Sequence, residues 1–487
     1  MLAPSKGTIH KKTMGPDCLK ANYVYFKQYR SKPLYQQLFL QIQKKILSGK
    51  LPAHTKLPSI RTLAEELSTS RNTIEGAFQE LYAEGYLYSK SRSGYFVSDI
   101  ELEPATATAT TVSCPKQDLH PKLAERYRFD FHPARLDPDV FPATHWRRCL
   151  IDTVRTEAGS FSEYSEPQGE WGLRCNLQFY LEHSRGVHCS PDQIIISSGL
   201  QQNLEIVAQL IRDSHSSIAV ENPGYHLPQD VFRNLGFRIN PIDIGSSGLN
   251  PDTLKSSEST VVYITPSHQM PLGYVMPVAD RLKFISWADT GEKFIIEDDY
   301  DSELRYIGRP ISSLQGLNPQ GNIIYLGSFS KVFSPALRLC YMVLPARLAD
   351  TYKKKFRNYL SPVPLLTQRA MISFMEQGHW EQHLRRVRIF YKKKHDLMIR
   401  AIEQCFGNKA KLIGQGAGLH IVLELADRIK DESEFISRAK QRECRLLSFS
   451  DFYADGKKEH NKLLIGFGGI PIEEIPSGID LLSCLLE

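Results

Sequence analysis

The first hundred residues carry a helical hydrophobic pattern that gives way to an alternating one. Apolar residues recur every four positions in the stretch 33–49, which opens with Pro and closes with Gly, and this predicts an amphipathic helix. Two further helices are predicted over 60–67, with Ser59 as N-cap, and over 71–84. Residues 86–98 alternate about a Ser-Gly turn, which predicts a β-hairpin. The predicted inward residues are Leu34, Leu38, Ile42 and Ile46 in the first helix and Ile74, Phe78 and Leu81 in the third. Three helices followed by a hairpin describe a winged helix-turn-helix.

From residue 129 onward, short β-rich runs alternate with helical stretches. This alternation predicts an α/β domain around a largely parallel sheet. After Gly414 the chain has strands and helices of its own, which predicts a smaller C-terminal α+β subdomain over about 360–487. The predicted strands of the main sheet are 193–197, 217–220, 260–265, 294–297, 322–326 and 339–344.

The chain is therefore predicted to be multidomain. A winged helix occupies 32–99 and the α/β body occupies 129–487. The stretch 100–128 has repeated Ala-Thr and few bulky apolar residues, which predicts a flexible tether; an extended arm packed on the body is the alternative. Residues 1–31 fit neither domain and are predicted to be disordered.

Composition and charge narrow the functional classes. The 487 residues include 60 Lys+Arg and 54 Asp+Glu, and 41% are hydrophobic, a globular composition. The first hundred residues hold 15 basic and 7 acidic side chains, which favours a polyanionic partner for this part. No apolar run approaches the ~18 residues of a membrane span, so no membrane partner is predicted. Nine scattered cysteines without a CxxC pair predict reduced thiols in a cytoplasmic protein.

Polar and basic residues of the N-terminal module are candidate DNA contacts. The N-terminus of the third helix is the end that enters a major groove, and the preceding elements and the wing approach phosphates or the minor groove. The candidates are Ser70, Arg71, Asn72 and Thr73 on the third helix, Lys56 and Arg61 before it, and Arg92, Ser93 and Gly94 at the wing. A protein-interaction module with solvated charges is the alternative. The run LPSIRTLAEELSTSRNTIEGAFQELYAEG (57–85) resembles the GntR family of winged-helix domains, which implies double-stranded operator DNA as the partner.

Three clusters at predicted strand ends carry chemistry in the body. SSGLQQ (197–202) begins a helix whose free N–H groups suit a phosphate. EDDYD (297–301) ends a strand in carboxylates that repel one another, so a partner cation or ligand is expected there. No ligand spacing supports a metal, and none is predicted. In GSFSK (327–331), followed by Arg338, the lysine is suited to form an imine while Ser and Arg hold a phosphate.

With these clusters the body resembles a fold-type I aminotransferase. From about Lys32 to the C-terminus, the chain resembles the MocR/GabR family of pyridoxal-phosphate-dependent bacterial regulators. The other supporting runs are YSEPQGEWGLR (164–174), ENPGY (221–225), TPSHQMPLG (265–273) and SFSKVFSPALRLCYMVLP (328–345).

The resemblance implies pyridoxal phosphate held by Lys331 as an internal aldimine (Schiff base). Asp298 would pair with the pyridine nitrogen, and Asp299 is the alternative. The other implied contacts are Tyr300 with the ring hydroxyl, Tyr225 on the ring face, and Ser328, Arg338 and the backbone of Ser198 and Gly199 with the phosphate.

Two departures from the family pattern bear on the effector. The family's arginine in a G-F-A-R motif corresponds to Gly469, and no arginine lies between Tyr225 and Arg233. An effector carboxylate thus lacks its strongest partner, which also argues against efficient transamination. The Asn that aminotransferases carry before the Pro of this turn is Met270 here, with His268 or Gln269 as candidate substitutes.

The favoured function is a cytoplasmic transcription regulator. Its winged helix would bind an operator, and its body would sense a small amine or related effector through pyridoxal phosphate. The resemblance also implies a homodimer, with a domain-swapped arrangement as in relatives. The alternatives are a working aminotransferase with an accessory DNA-binding domain, and a regulator whose ligand is pyridoxal phosphate itself.

Overall fold

The computed structural model describes residues 33–91, 93–100, 127–245, 248–308, 311–426, 429, 431–458 and 460–486. These residues form two compact units, one before and one after the gap at 101–126. The predicted disorder of 1–31, the wing residue Arg92 and nearly all of the predicted 100–128 tether lie outside the described residues. No helix in the described ranges is long and apolar enough to cross a membrane.

The first unit is a three-helix bundle with a hairpin, and the predicted winged helix-turn-helix is confirmed. Its elements are α1 (Leu34–Leu47), α2 (Ile60–Glu66), α3 (Arg71–Ala83), β1 (Leu87–Lys90) and β2 (Gly94–Val97). Ser59 and Ser70 cap the N-termini of α2 and α3, because each hydroxyl accepts a hydrogen bond from the amide three residues on, at 3.1 and 3.2 Å. The two strands pair antiparallel, with Lys90 opposite Gly94.

The core of this unit lies between the helices and the hairpin. The predicted inward residues of α3 are buried, and so are Leu38, Ile42 and Ile46 of α1. The prediction for Leu34 is wrong, since its side chain is 44% exposed. Leu34 is the first residue of α1, beyond the turns that the core covers, and Phe39 supplies the further buried side chain of the helix.

The second unit alternates strands and helices, as predicted. Its helices are α4 (Ala143–Glu157), α5 (Trp171–Arg185), α6 (Leu200–Ile211), α7 (His226–Asn234), α8 (Pro251–Ser256), α9 (Val278–Asp289), α10 (Leu314–Leu317), α11 (Ala346–Lys355), α12 (Leu365–Glu376), α13 (His379–Phe406), α14 (Glu432–Gln441) and α15 (Ile475–Leu486). Its strands are β3 (Phe129–Asp130), β4 (Ile194–Ser197), β5 (Ser217–Asn222), β6 (Arg238–Gly245), β7 (Gly248–Leu249), β8 (Val261–Ile264), β9 (Phe294–Asp299), β10 (Ile323–Ser328), β11 (Cys340–Val343), β12 (Ala410–Ile413), β13 (His420–Leu425), β14 (Cys444–Arg445) and β15 (Lys462–Gly466).

The main sheet of this unit has the order β4-β11-β10-β9-β8-β5-β6-β7 in the described residues. The strands run parallel except for β11, which is antiparallel to β4 and β10, and β7, which turns back on β6. Helices pack on both faces of the sheet, so the inner strands β8, β9 and β11 are buried throughout. Strand β6 was not predicted, because its sequence RINPIDIG mixes charged residues and a Pro and is largely exposed.

A smaller antiparallel sheet, in the order β12-β13-β15, follows the long helix α13. It begins at Ala410, before the predicted change of pattern at Gly414. The first strand of the unit, β3, pairs in parallel with β14 and places Asp130 beside Arg445. The two ends of the unit are thus joined, which the local pattern of 129–135 did not predict.

Candidate functional site

A cavity of about 570 Å³ lies at the carboxyl ends of the parallel strands in the second unit. Ligands of open α/β sheets bind at this edge, because the loops that follow the strands meet there. The predicted residues in its wall are Gly199, Tyr225, Asp298, Tyr300, Ser328, Lys331 and Arg338. The structure therefore brings together all of the predicted cofactor-site residues except Ser198.

Lys331 follows β10 and is half-buried in the cavity wall. Its Nζ donates a hydrogen bond to the carbonyl of Pro133 at 3.2 Å and lies 5.9 Å from the ring centre of Tyr300. Burial lowers the pKa of Lys331, and the carboxylates of Asp301 and Asp298 oppose this shift. A lowered pKa increases the fraction of neutral amine, which is the form that attacks a carbonyl carbon.

Asp298 is the only carboxylate of the acidic run that lines the cavity, among the residues described. Its side chain is buried, and the hydroxyl of Tyr263 donates a hydrogen bond to its Oδ2. Burial raises the pKa of Asp298 to about 7, and the hydrogen bond from Tyr263 opposes the shift. A buried carboxyl in this state is suited to share a proton with a ligand nitrogen.

The other carboxylates of the run have partners within the protein. Asp299 accepts a hydrogen bond from Arg185 Nε at 2.6 Å, and Asp301 Oδ2 lies 2.7 Å from Nδ1 of His268. Glu297 accepts two backbone amides at the start of α10, at 2.9 and 3.1 Å. The expected cation partner is therefore present for Asp299, as the guanidinium of Arg185, and Asp298 is left to face the cavity. Within the described ranges, no group of three or more His, Cys, Asp or Glu side chains could hold a metal ion.

Gly199 and Arg338 meet at the wall where the phosphate site is predicted. Gly199 has a φ of 147°, and a Cβ there would lie 2.2 Å from Nη2 of Arg338, so the contact requires glycine. The register explains the contact, because Cys340 of β11 is paired with Ser197 of β4, and Arg338 and Gly199 lie just beyond that pair. The Arg338 guanidinium is exposed and has no acidic partner in the described part of the chain.

The phosphate contact predicted for Ser198 stays a prediction, and Ser198 differs from the other candidates. Its amide donates a hydrogen bond to Oε1 of Gln202 at 2.8 Å, so this donor is already used, and Ser198 does not line the cavity. The first turn of α6, with Leu200 and Gln201, lines it instead. Ser328 lines the cavity, and its Oγ accepts a hydrogen bond from the amide of Ser330 at 3.0 Å.

Tyr300 lines the cavity with a hydroxyl that is already engaged. It donates a hydrogen bond to the carbonyl of His268 at 2.8 Å. The predicted bond from Tyr300 to a ring hydroxyl would therefore require the side chain to exchange this partner. Tyr225 is 41% exposed at the wall, where its ring is open to a ligand.

Sequence reasoning missed one segment of the wall. His132, Pro133 and Ala134 line the cavity, as does Tyr263 of β8. Burial lowers the pKa of His132 to about 4, with smaller contributions from neighbouring cations, so its imidazole is neutral near pH 7. Tyr263 could have been found from the sequence, because it is the one polar aromatic residue within the predicted strand 260–265. No local signal marks 132–134, because these residues reach the site through long-range contacts of the preceding residues, which pair with β14 and bond to Gly466 of β15.

The first unit exposes the start of α3. Arg71 and Asn72 are exposed, whereas Ser70 and Thr73 are joined by a 2.8 Å contact between their hydroxyl oxygens at the cap. Ser70 and Thr73 thus fix the helix end, and Arg71 and Asn72 are available to a groove. Arg61 forms an exposed pair with Glu65 at 3.0 Å.

The wing lies close to another predicted contact. A Cβ at Gly94 would be 4.0 Å from Cε of Lys56, which places the lysine stem beside the hairpin turn that contains Ser93. Lys90 was not predicted; its Nζ lies 5.1 Å from the ring centre of Phe96, so its charge is held on the wing.

Comparisons with known proteins match both units. Residues 34–97 match the family model described as bacterial regulatory proteins, gntR family, and residues 136–456 match aminotransferase class I and II. The "Uncharacterized HTH-type transcriptional regulator YhdI" of Bacillus subtilis is 37% identical, over 93% of this chain and 95% of that protein. The "Probable rhizopine catabolism regulatory protein MocR" of Rhizobium meliloti is 31% identical, over 92% and 93%. The chain belongs to the MocR family of HTH-type transcriptional regulators.

The second unit of this MocR-family regulator has the fold-type I aminotransferase fold. It is similar to the kynurenine aminotransferase of Pyrococcus horikoshii, solved in complex with PMP, with a TM-score of 0.68 and 25% identity. The similarity covers 74% of this chain and 91% of that one. The predicted fold class is confirmed.

The structure gives a physical account of the missing arginine in this MocR-family chain. A Cβ on Gly468 would lie 2.2 Å from the carbonyl oxygen of Arg135, and one on Gly469 would lie 2.5 Å from Cβ of Arg135. Arg135 therefore fills the space into which a side chain at position 469 would extend.

The proposed substitutes for the missing Asn do not line the cavity of this MocR-family chain, whereas Met270 does. Gln269 donates to the carbonyl of Pro223 at 3.0 Å and accepts from the amide of Leu272 at 3.0 Å. His268 is held by Asp301. Both side chains have partners within the protein, and the substitution of one of them for the Asn stays a prediction.

Proposed function

We propose that this regulator binds double-stranded operator DNA through its winged helix and binds pyridoxal phosphate and a small amine effector in the cavity of its second unit. It would act in the cytoplasm as a homodimer. The observation that carries the proposal is the convergence of Lys331, Asp298 and Arg338 on one cavity.

The wall of the cavity fits pyridoxal phosphate. Arg338, the Gly199 turn and Ser328 would hold the phosphate, because a guanidinium and a turn shaped by glycine favour an anion. Asp298 would hold the ring nitrogen, Lys331 would hold the aldehyde carbon, and Tyr225 would cover a ring face. When bound, this cofactor supplies an aldehyde that exchanges amines and a ring that withdraws electrons.

The surroundings of Lys331 offer a physical route for sensing. Its amine contacts a backbone carbonyl of the 132–134 segment, so occupancy of the lysine alters a contact with the chain that follows the tether. A ligand shifts a conformational equilibrium only if it binds the two states with different affinity, and this contact is one source of that difference.

The attachment of the cofactor is tested by reducing the purified holoprotein with borohydride and mapping the modified peptide by mass spectrometry. We expect the added mass on Lys331. Lys331→Ala should abolish both the label and the visible absorbance, whereas Lys293→Ala, which changes a lysine outside the cavity wall, should keep both. Absence of the label on Lys331 in the wild type would refute the proposal.

The sensing role is tested by adding amines to the holoprotein while following visible absorbance and binding to the DNA upstream of its own gene. We expect an active amine to change both signals together. Steady conversion of an amino donor and an oxo acid would instead support an aminotransferase. DNA binding that follows cofactor concentration without any amine would support a sensor of pyridoxal phosphate.

A further inference from the structure

The segment 130–135 forms a turn at the cavity wall. The amide of Arg135 donates a hydrogen bond to the carbonyl of His132 at 3.1 Å, so the arginine folds back beside the residues that line the cavity. Gly468 and Gly469 pack directly against its backbone and Cβ. The carbonyl of Gly468 accepts a hydrogen bond from the buried Lys394 at 2.9 Å. The backbone position of Arg135 is therefore fixed from both sides.

Two guanidinium groups share one carboxylate beside this turn. Oδ2 of Asp130 lies 3.2 Å from Nε of Arg135 and 3.7 Å from Nη1 of Arg445. Its Oδ1 accepts the amide of His132 at 3.1 Å, so both oxygens of the carboxylate are engaged. No second acidic side chain pairs with either arginine in the described ranges, which leaves one positive charge in excess.

The two arginines are accessible, and each lies within two positions of a residue of the cavity wall. The side chains of Arg135 and Arg445 are 49% and 31% exposed, so an incoming anion does not have to open the core to reach them. Arg135 follows Ala134, which lines the cavity, and Arg445 lies two positions before Leu447, which also lines it. Both cations influence His132 in the same wall, where each lowers the pKa of the imidazole.

We propose that Arg135 and Arg445 bind the anionic group of the effector, which is therefore an amine that carries a carboxylate or a related oxyanion. This inference rests on the proposed function, since Lys331 and its cofactor would take the amine end of the same molecule. Two guanidiniums form a fork that matches a carboxylate, and the excess charge gives a ligand anion a partner that Asp130 does not neutralise. The arginines then determine specificity and take no part in the chemistry at Lys331.

The experiment titrates the holoprotein with two matched series and follows its visible absorbance. One series is unbranched ω-amino acids of two to six carbons, and the other is the alkylamines of the same lengths. We expect at least one amino acid to bind more tightly than its matched alkylamine. Arg135→Gln and Arg445→Gln should each weaken the binding of the amino acid about tenfold or more, because each removes a charged hydrogen bond. The affinity for the alkylamines should not change.

A third variant separates ligand binding from a structural role. Asp130→Asn frees both arginines from their shared carboxylate while its amide oxygen can still accept the His132 N–H. If the arginines bind the effector, Asp130→Asn should increase the affinity for the amino acid severalfold. If they only stabilise the β3–β14 pairing, all three variants should lower the melting temperature and none should discriminate between the two series.

The outcomes distinguish this inference from the proposed function. Borohydride labelling of Lys331 is measured on every variant first, and wild-type loading shows that the cofactor site is intact. Loss of labelling in the wild type refutes the proposed function. Two results would overturn the anion site alone while labelling of Lys331 is intact. In one, the alkylamines bind as tightly as every amino acid; in the other, no amino acid binds.

Discussion

At the residue scale, the site depends on how burial and one hydroxyl set the charge of Asp298. Burial favours the protonated carboxyl, and the Tyr263 hydrogen bond favours the carboxylate. A carboxylate attracts a protonated pyridine nitrogen, so we expect Tyr263 to support the proposed binding of pyridoxal phosphate through Asp298.

Tyr263→Phe should therefore weaken the binding of pyridoxal phosphate about tenfold near pH 7. Without the donor the pKa of Asp298 rises further, so the lost affinity should return as the pH is raised. Fluorescence titrations with pyridoxal phosphate between pH 6 and 9 measure this. Tyr325→Phe is the matched control, because that hydroxyl donates to Asp299 at 2.6 Å, and its pH profile should not move. Equal profiles for both variants would contradict the role of Tyr263.

Glu221 allows a second prediction at this scale. Burial raises its pKa to about 7, so the folded protein binds this proton more tightly than the unfolded chain. The resulting stabilisation is complete below the unfolded pKa near 4.5 and is lost as the pH rises through about 7. Glu221→Gln removes the titration, so its stability relative to the wild type should rise between pH 5 and pH 8 by on the order of 2 kcal/mol.

Denaturant unfolding of the apoprotein at the two pH values checks this prediction. The exposed Glu376 provides the control, since Glu376→Gln should follow the wild-type profile. A parallel pH dependence for Glu221→Gln and the wild type would contradict it.

At the scale of elements, the antiparallel strand β11 builds the end of the cavity where we propose that the phosphate binds. Cys340 at its start pairs with Ser328 at the end of β10 and with Ser197 at the end of β4. The residues just outside these pairs, Arg338 and Gly199, are therefore brought into contact. A strand running the other way would place Arg338 at the opposite edge of the sheet.

The first unit allows a prediction for the recognition helix α3. Arg71 is exposed at its start and has no role in the core, so Arg71→Ala should weaken operator binding by about 1–3 kcal/mol without changing the melting temperature. Fluorescence anisotropy over a range of salt concentrations measures this. Lys44→Ala, which removes an exposed lysine of α1, should keep the wild-type affinity. The same loss in both variants would indicate a general effect of charge.

The features that the sequence predicts are those that depend on local contacts along the chain. The three helices, the hairpin and most strands of the main sheet follow from periodicity and turn residues, and Lys331, Asp298 and Arg338 follow from motifs at strand ends. The partners of Asp299 and the occupied amide of Ser198 depend on side chains brought together by folding. His132 and Arg135 were beyond reach because their position depends on pairing between the two ends of the unit.

At the scale of the whole molecule, the body exposes apolar side chains that a folded monomer has no reason to leave in water. Ile151 and Val154 of α4 and Trp171 and Phe179 of α5 are 48–65% exposed. Both helices pack against α12, so they belong to one part of the unit. Large exposed apolar surfaces mark interfaces, which supports the proposed homodimer.

Phe179→Glu should therefore shift the protein from dimer to monomer, because it places a charge among these apolar residues. Light scattering coupled to size-exclusion chromatography measures the mass. Ile389→Glu is the control, since Ile389 is 61% exposed on α13. A dimer that persists in Phe179→Glu and dissociates in Ile389→Glu would assign the interface to a different surface.

The hydrogen bond from Lys331 to Pro133 has a consequence for communication along the backbone. Pro133 lies near the start of the second unit, a few positions after the stretch that follows the winged helix in the sequence. The amine of Lys331 therefore contacts the backbone close to where this unit begins. If the Lys331 amine binds a ligand, it must give up its hydrogen bond to the Pro133 carbonyl. Occupation of Lys331 would then change a contact of the segment that follows strand β3, without any rearrangement of the main sheet.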